Sequence, residues 1–305
     1  MESRFTATVV RATGSWYDVL HDGAMLRCRI RGKLRLKGVR STNPVVVGDE
    51  AVCEADGGDC VIVDIVPRRN YVIRRASNLS KESHIIAANV DQALLMVTLR
   101  SPETPKEFAD RFLVTCEAYK VPAAILLSKI DLQDAEAVAE FRAVYEGAGY
   151  RVLEVSAKED RGVEEVRKLL AGRTTLVSGN SGVGKSTLIQ TIDPSLDIRI
   201  GEISDSHHKG RHTTTFSTMY PLAEGGAVID TPGIKGFGLL DIDDAELWHY
   251  FPEMMRVAPG CRFYNCTHTH EPGCAVVEAV KAGEIAWSRY ESYLKILDDD
   301  EKYRK

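Results

Sequence analysis

Two kinds of hydrophobic pattern divide the chain. Up to about residue 68 the apolar residues fall in short alternating runs, at 6–12, 16–20, 25–37, 50–55 and 60–66. Period-2 alternation sends successive side chains to opposite faces of a strand, and the runs are separated by Gly-, Ser- and Asp-rich turn formers. Five short strands in so few residues predict a small β-barrel, with the OB-fold the favoured kind. From residue 92 the pattern changes. The run 92–99 (QALLMVTL) is almost continuously apolar, as a strand covered on both faces must be. Residues 106–119 place Phe108, Phe112, Cys116 and Tyr119 on one helical face. Strands at 123–127, 151–155 and 173–178 then alternate with helices at 135–146, 162–170 and 186–192, which predicts a doubly wound α/β domain with a parallel sheet. Strands at 216–220 and 227–229 follow. Beyond residue 241 the pattern predicts helices at 245–251 and 284–297 and an acidic end at 298–301 around a Cys- and His-rich loop. The expected domains are therefore 1–68, 69–240 and 241–305, with Pro67-Arg68-Arg69-Asn70 as the first boundary.

The chemistry sits in the loops after the predicted strands. Gly179-Asn180-Ser181-Gly182-Val183-Gly184-Lys185-Ser186-Thr187 has the spacing G-x-x-x-x-G-K-[ST] between a strand and a helix. Glycines let successive backbone N–H groups turn around phosphate oxygens without a Cβ in the way, and the helix that follows adds its positive end. Lys185 reaches the outer phosphates, and the Ser186 hydroxyl suits a magnesium ion. Ser128-Lys129-Ile130-Asp131 follows the strand 123–127. A carboxylate at Asp131 can accept from guanine N1–H and N2–H, whereas adenine would leave it unpaired; Lys129 can lie over the base. Ser156-Ala157-Lys158 follows the strand 151–155 and offers a backbone N–H to guanine O6. Asp230-Thr231-Pro232-Gly233 ends the strand 227–229. Asp230 there can hold magnesium through water, and the Gly233 N–H can sense the terminal phosphate. Lys209 to Thr215 (KGRHTTT) lies between the phosphate loop and that turn, where a threonine can complete the magnesium shell; Thr214 is favoured, with Thr213 and Thr215 the alternatives.

Charge changes the picture of the barrel. The chain carries a formal net charge of −5, which by itself argues against a nucleic-acid partner. Yet Arg27, Arg29, Arg31, Lys33, Arg35 and Lys37 occupy every odd position of one predicted strand, with no acidic residue from Arg27 to Arg40. A one-sided cation stripe suits a phosphate backbone; the competing reading is a solvated strand face. Trp16 and Tyr17 can stack bases or fill the core. The 44% apolar and 27% charged fractions are those of an ordinary globular protein. The first residues carry no apolar signal core, and no run approaches the ~18 apolar residues of a membrane span. The expectation is a cytoplasmic protein.

Three of the seven cysteines cluster late. Cys261, Cys266, His268 and Cys274 form Cys-x4-Cys-x-His-x5-Cys, with His270 the alternative imidazole. Three thiolates and one imidazole are zinc's preferred set, and four protein ligands leave no open position, so one structural Zn2+ is expected.

The loop order decides the family. Guanine-nucleotide domains ordinarily present the phosphate loop first, whereas here the SKID and SAK loops precede it and GRHTTT and DTPG follow. With the basic barrel before and the Cys/His cluster after, nearly the whole chain resembles the RsgA/YjeQ family of ribosome small-subunit-dependent GTPases. The resemblance implies a circularly permuted P-loop GTPase domain flanked by an N-terminal OB-fold barrel and a C-terminal helical zinc-binding domain. It implies slow, subunit-stimulated hydrolysis of GTP to GDP with Mg2+, a late role in assembling that subunit through its ribosomal RNA, and a monomer. Two departures stand out. The Asn of the motif [NT]KxD, which ties the base loop to the phosphate loop, is Ser128 here. The water-orienting Gln of Ras-like enzymes is Ile234, an apolar choice the permuted GTPases share, and His212 is the candidate to orient the nucleophile. On this reading GTP orders 205–215 and 233–238 and fixes the three domains in one arrangement. Two alternatives are an RNA-binding assembly chaperone with GTP as a structural ligand, and a metabolic P-loop kinase, against which the guanine loops argue.

Overall fold

The computed structural model describes residues 4–31, 44–56, 59–75, 83–196, 217–230 and 243–303. Strands β1 (Arg4–Ala12), β2 (Tyr17–His21), β3 (Ala24–Ile30), β4 (Glu50–Asp56) and β5 (Asp59–Ile65) close into a five-stranded, OB-like barrel. Their ring order is β1-β2-β3-β5-β4, sealed by β1 pairing with β4. Alternation puts Ala7, Val9, Val19, Cys28, Ala51, Cys53 and Ile62 inside. Cys28 and Cys60 are register partners on parallel strands and form a disulfide. No local feature of the sequence marks this pair, and the clustering of the late cysteines points to metal rather than to disulfides. These two residues lie 32 apart in sequence and meet only through the pairing of β3 with β5.

The expected boundary at 67–70 is a rigid joint. Arg68 forks onto the fully buried Asp49 (2.6 and 2.7 Å), Arg69 bonds Asp91 (2.9 Å), and Asn70 exchanges bonds with the Val90 backbone (2.7 and 2.8 Å). Gly48 packs so closely that a Cβ there would sit 2.0 Å from the Ala88 carbonyl oxygen, which only glycine permits. The hydrophobic pattern predicts no element between residues 71 and 91. The structure forms an antiparallel hairpin of β6 (Tyr71–Arg75) and β7 (Ser83–Ala88), whose Val72 and Ala87 join the adjacent core.

The central domain runs β8 (Gln92–Val97), α1 (Lys106–Ala118), β9 (Ala123–Ser128), α2 (Ala135–Ala148), β10 (Arg151–Val155), α3 (Val163–Leu170), β11 (Thr174–Gly179), α4 (Lys185–Ile192), β12 (Thr218–Pro221) and β13 (Ala227–Asp230). Strands in the order β10-β9-β8-β11-β13 are parallel, with β12 antiparallel on the edge. Leu95 and Val97 feed the core on one face while Leu94 and Met96 feed the other, which is why β8 is apolar throughout. Winding proceeds outward from β8 to β10, then returns to place β11 on the other side of β8. The carboxyl ends of β8 and β11 therefore flank the switch point where doubly wound sheets bind ligands. The sheet does not stop at β12: Thr218 pairs with Asp230 on one side and with Arg11 of the barrel on the other.

The C-terminal part contains α5 (Pro252–Val257), α6 (Ala275–Lys281) and α7 (Trp287–Tyr303). The helix expected at 245–251 is a short 3-10 turn, Leu247–Tyr250. Pro252 disfavours helical geometry in the residue before it; Phe251 is extended (φ −113, ψ 96), and a new helix starts at the proline instead. The last helix absorbs the acidic segment 298–301 and ends at Tyr303. Arg289 of α7 ties this part to the central domain. Its guanidinium bonds Asp110 of α1 (2.7 Å) and forks onto Glu253 of α5 (2.7 and 3.3 Å), with all three side chains at most 3% exposed. Phe251 and Tyr145 also face the cation. Arg289→Met would strand two buried carboxylates, so we expect a loss of about 3–5 kcal/mol of unfolding free energy in urea titrations. A loss under about 1 kcal/mol would mean that the carboxylates find water or other partners.

Candidate functional site

The phosphate loop begins where β11 ends. Gly179 has φ 154, and a Cβ there would lie 2.5 Å from the Met96 carbonyl oxygen, so the turn out of the sheet requires glycine. Val183 is fully buried in the core beneath and anchors the loop. Gly184 (φ 99) forms the N-cap of α4. Lys185 is 4% exposed and donates to the Gly179 and Asn180 carbonyls (2.6 and 3.0 Å). Burial pushes its pKa down, and the nearby Asp230 carboxylate opposes that shift. Phosphate oxygens would oppose it further, which suits an ammonium meant to meet them. Ser186 is the second residue of α4 and Asp230 ends β13; Asp230 is the register partner of Val177, two residues before Gly179. Of the set expected for nucleotide phosphates and Mg2+, the described members, residues 179–187 and Asp230, share one rim of the sheet.

The guanine loops reach the same rim. Lys129 adopts a left-handed conformation (φ 55) and starts the 3-10 turn Ile130–Leu132. Ser156, fully buried, donates to Asp131 Oδ1 (2.7 Å) and accepts from Glu159 N–H (3.2 Å). The SAK loop therefore orients the carboxylate of the SKID loop; Ala157 and Lys158 follow at the turn. A Cβ on Gly184 would fall 3.5 Å from Ser128 Oγ and 4.0 Å from Lys129 Cε. Base loop and phosphate loop are in contact. His212, Thr214 and Gly233 lie outside the described residues, as do Thr213, Thr215 and Ile234. Sequence motifs gave no hint of a further element at this rim, the connection 98–104 after β8, whose Pro102 ring packs 3.4 Å from the Cβ position of Gly182.

At the other end of the chain, the ligand atoms of Cys261, Cys266, His268 and Cys274 lie within 4.8 Å of one another. His268 Nδ1 is 3.6 and 3.5 Å from the sulfurs of Cys261 and Cys274, and those sulfurs are 3.9 Å apart. A tetrahedral zinc with bonds of ~2.3 Å to sulfur and ~2.0 Å to nitrogen has edges of about 3.8 and 3.5 Å, so this donor set fits the ion. His268 is in the cluster and the alternative, His270, is exposed outside it. Burial pushes the Cys266 thiol up to about 12; a cation at the centre would supply the missing stabilisation of its thiolate. Backbone N–H groups of Ala275 and Val277, at the start of α6, point at the sulfurs of Cys261 and Cys274. Tyr290 and Tyr293 of α7 bond the carbonyls of His268 and Thr267 and fix the knuckle on the helix.

On the barrel, Arg27 and Arg29 point outward from β3 while Cys28 points in. Their guanidiniums lie 4.7 and 4.2 Å from the centre of the Trp16 ring. Tyr17 is buried, so of the two aromatics Trp16 faces the surface and Tyr17 belongs to the core. Arg31 bonds Glu54 (2.7 Å) at the end of this row. Lys33, Arg35 and Lys37 lie outside the described residues.

Known proteins match the chain over nearly its whole length. The family model described as RsgA GTPase covers residues 65–240, and that described as RsgA N-terminal domain covers 6–62. The chain is 51% identical to small ribosomal subunit biogenesis GTPase RsgA 2 of Bacteroides thetaiotaomicron, over 97% of this chain and 98% of that one. It is 53% identical to small ribosomal subunit biogenesis GTPase RsgA of Porphyromonas gingivalis strain W83, with the same coverage. Among solved structures, YjeQ from Thermotoga maritima superposes with a TM-score of 0.77 at 34% identity, over 97% of this chain and 98% of that one. YloQ, described as a circularly permuted GTPase, superposes with a TM-score of 0.71 at 26% identity, covering 99% and 96%.

Proposed function

The chain belongs to the RsgA family of GTPases, and on that premise we propose that it binds the small ribosomal subunit and couples GTP hydrolysis to late maturation of that subunit and to its own release. The observation that carries this reading is the convergence, on one rim, of loops that occur in permuted order along the chain: Asp131 and Ser156, then Lys185, then Asp230.

In this reading the 179–187 backbone cradles the phosphates and Lys185 stabilises charge that develops between the outer two. Asp131, oriented by Ser156, selects guanine; Lys129 covers the base, and Ala157 and Lys158 close its other edge. Ser186, Thr214 and Asp230 would hold Mg2+, which neutralises phosphate charge when bound. Gly233 would sense the terminal phosphate, and His212 would orient the attacking water. Cys261, Cys266, His268 and Cys274 would hold one structural zinc. The RNA-facing side of the barrel is Arg27, Arg29, Arg31, Lys33, Arg35 and Lys37, with Trp16 as a surface on which an unpaired base can stack beside two guanidiniums. The protein acts as a cytoplasmic monomer. None of the helices among the described residues is long and apolar enough to cross a membrane.

The test is GTP turnover with and without purified small subunits, paired with sedimentation of the protein on those subunits in GDP and in a non-hydrolysable GTP analogue. Acceleration by the subunit, and subunit affinity about tenfold higher in the triphosphate state, are expected. Nucleotide-independent affinity together with unstimulated turnover would reduce GTP to a structural ligand and sink the coupling.

A further inference from the structure

The guanine loop carries Ser128 where an amide would be long enough to tie it to the phosphate loop. A bracket of different composition joins the two loops here. Gln133, at the end of the guanine loop, accepts from Arg100 N–H through Oε1 (3.1 Å). Its Nε2 donates to the carbonyls of Arg100 (3.4 Å) and Lys129 (3.1 Å). One N–H and two carbonyls fix the amide orientation, because only the oxygen can accept and only the nitrogen can donate. Lys129 adds a bond from Nζ to the Ser101 carbonyl (2.8 Å).

The segment they grip is stiff. Thr104 N–H bonds the Thr98 carbonyl (2.9 Å), Thr98 N–H bonds Thr104 Oγ1 (3.1 Å), and the Thr98 hydroxyl donates to the Pro102 carbonyl. Thr98 is fully buried, so the loop is pinned to the end of β8. Its far side faces the phosphate loop, where a Cβ on Gly182 would meet the Pro102 ring at 3.4 Å. The base-reading turn is thus connected to the phosphate cradle through Gln133, the 98–104 loop and Pro102.

We propose that Gln133 is a positioning residue for guanine recognition, which holds the Lys129–Asp131 turn at a fixed distance from the phosphate loop where Ser128 supplies a contact beside Gly184 in place of an amide's hydrogen bonds. The inference rests on the guanine-nucleotide reading of this rim. Gln133 touches no nucleotide in this account; it acts through the turn that carries Asp131. Preorganisation of that turn lowers the ordering cost of binding, so its loss is read in affinity and in base selectivity.

Calorimetric dissociation constants for GDP and for inosine diphosphate, which lacks the N2 amine, test this on the full zinc-loaded chain. Gln133→Ala is expected to weaken GDP about tenfold, the worth of one or two hydrogen bonds, and to weaken inosine diphosphate less. Gln133→Glu, which keeps the acceptor but turns a carboxylate towards two carbonyls, is expected to show the same loss. In a Ser128→Asn background, where an amide can rebuild the direct tie, Gln133→Ala is expected to cost little. A dissociation constant unchanged by both substitutions overturns the proposal, as does equal loss in both backgrounds or equal loss for both nucleotides. Failure of the unsubstituted chain to bind GDP would remove the underlying nucleotide reading instead, and the proposal with it.

Discussion

Lys185→Ala is expected to lower GTP turnover about a hundredfold or more, the usual consequence of removing one charged donor from a transition state that gathers charge on phosphate oxygens. The geometry sets the direction. The ammonium is almost fully buried, lies across the mouth of its own loop, and bonds two carbonyls that phosphate oxygens can replace as partners. No other cation of the described phosphate loop can take its place, since Asn180, Ser181 and Ser186 are neutral. The fold should tolerate the change. Burial already disfavours the charged lysine, so its removal relieves a desolvation cost while deleting two hydrogen bonds, and a melting shift of only a few degrees is expected. Single-turnover kinetics with small subunits present, beside a thermal melt of the same preparation, separates the two effects. Turnover within a factor of about two of the unsubstituted protein would remove Lys185 from the chemistry.

Zinc removal is expected to have the largest effect on stability. Binding of structural zinc to small knuckles is worth about 10–16 kcal/mol in apparent terms, and that energy is folding energy where the apoprotein has no alternative core. The core behind this knuckle includes Cys266 and Cys274 themselves, packed with Leu247, Phe251, Met254, Val276 and Tyr293. Without the ion, two buried thiols and one half-buried thiol would crowd one imidazole, and His268 could not hold its strained left-handed backbone (φ 59) at the same energy. Chelation, or Cys274→Ser, should therefore release one zinc per chain and loosen α5 to α7. Trp248, edge-on to the His268 ring at 4.8 Å, should report this in fluorescence. The central sheet should melt separately, since its two cores do not include the knuckle, while α1, which shares Val114 with the C-terminal core and Asp110 with Arg289, should loosen in part. A chelated protein with no measurable zinc and an unchanged melting profile would show that the four ligands are ordinary core side chains.

The parts legible in the sequence are those whose physics is local. A phosphate loop needs only eight consecutive residues, and its glycines can be read because only glycine tolerates the turn at Gly179. The knuckle is legible for the same reason: four ligands in fourteen residues can meet only around a point. Periodicity found β8 because both its faces are covered, and found the barrel strands because one face of each is not. What escaped depends on residues far apart in the chain. Arg289 and Asp110 are separated by 179 positions, and an isolated arginine in a helix carries no mark of the carboxylates it will meet. Gln133 looks like a polar loop residue until β8 and β9 pair and bring Arg100 beside it. The helix break at Pro252 was available in the sequence and was outweighed by the apolar spacing around it.

The single pairing of Arg11 with Thr218 has a mechanical meaning. Thr218 stands between Asp230, at the tip of β13 beside the phosphate loop, and Arg11 of β1, a barrel strand two positions from the arginine row of β3. Neighbouring strands hold a separation near 4.8 Å and resist stretching across their hydrogen bonds. Two neighbouring pairings, β13 with β12 and β12 with β1, therefore span the distance from the rim that holds Lys185 and Asp230 to the barrel. A sideways displacement at Asp230 must either drag the barrel with it or snap the outer rung, so the protein has a stiff transmission where a flexible hinge would have let the two modules drift independently.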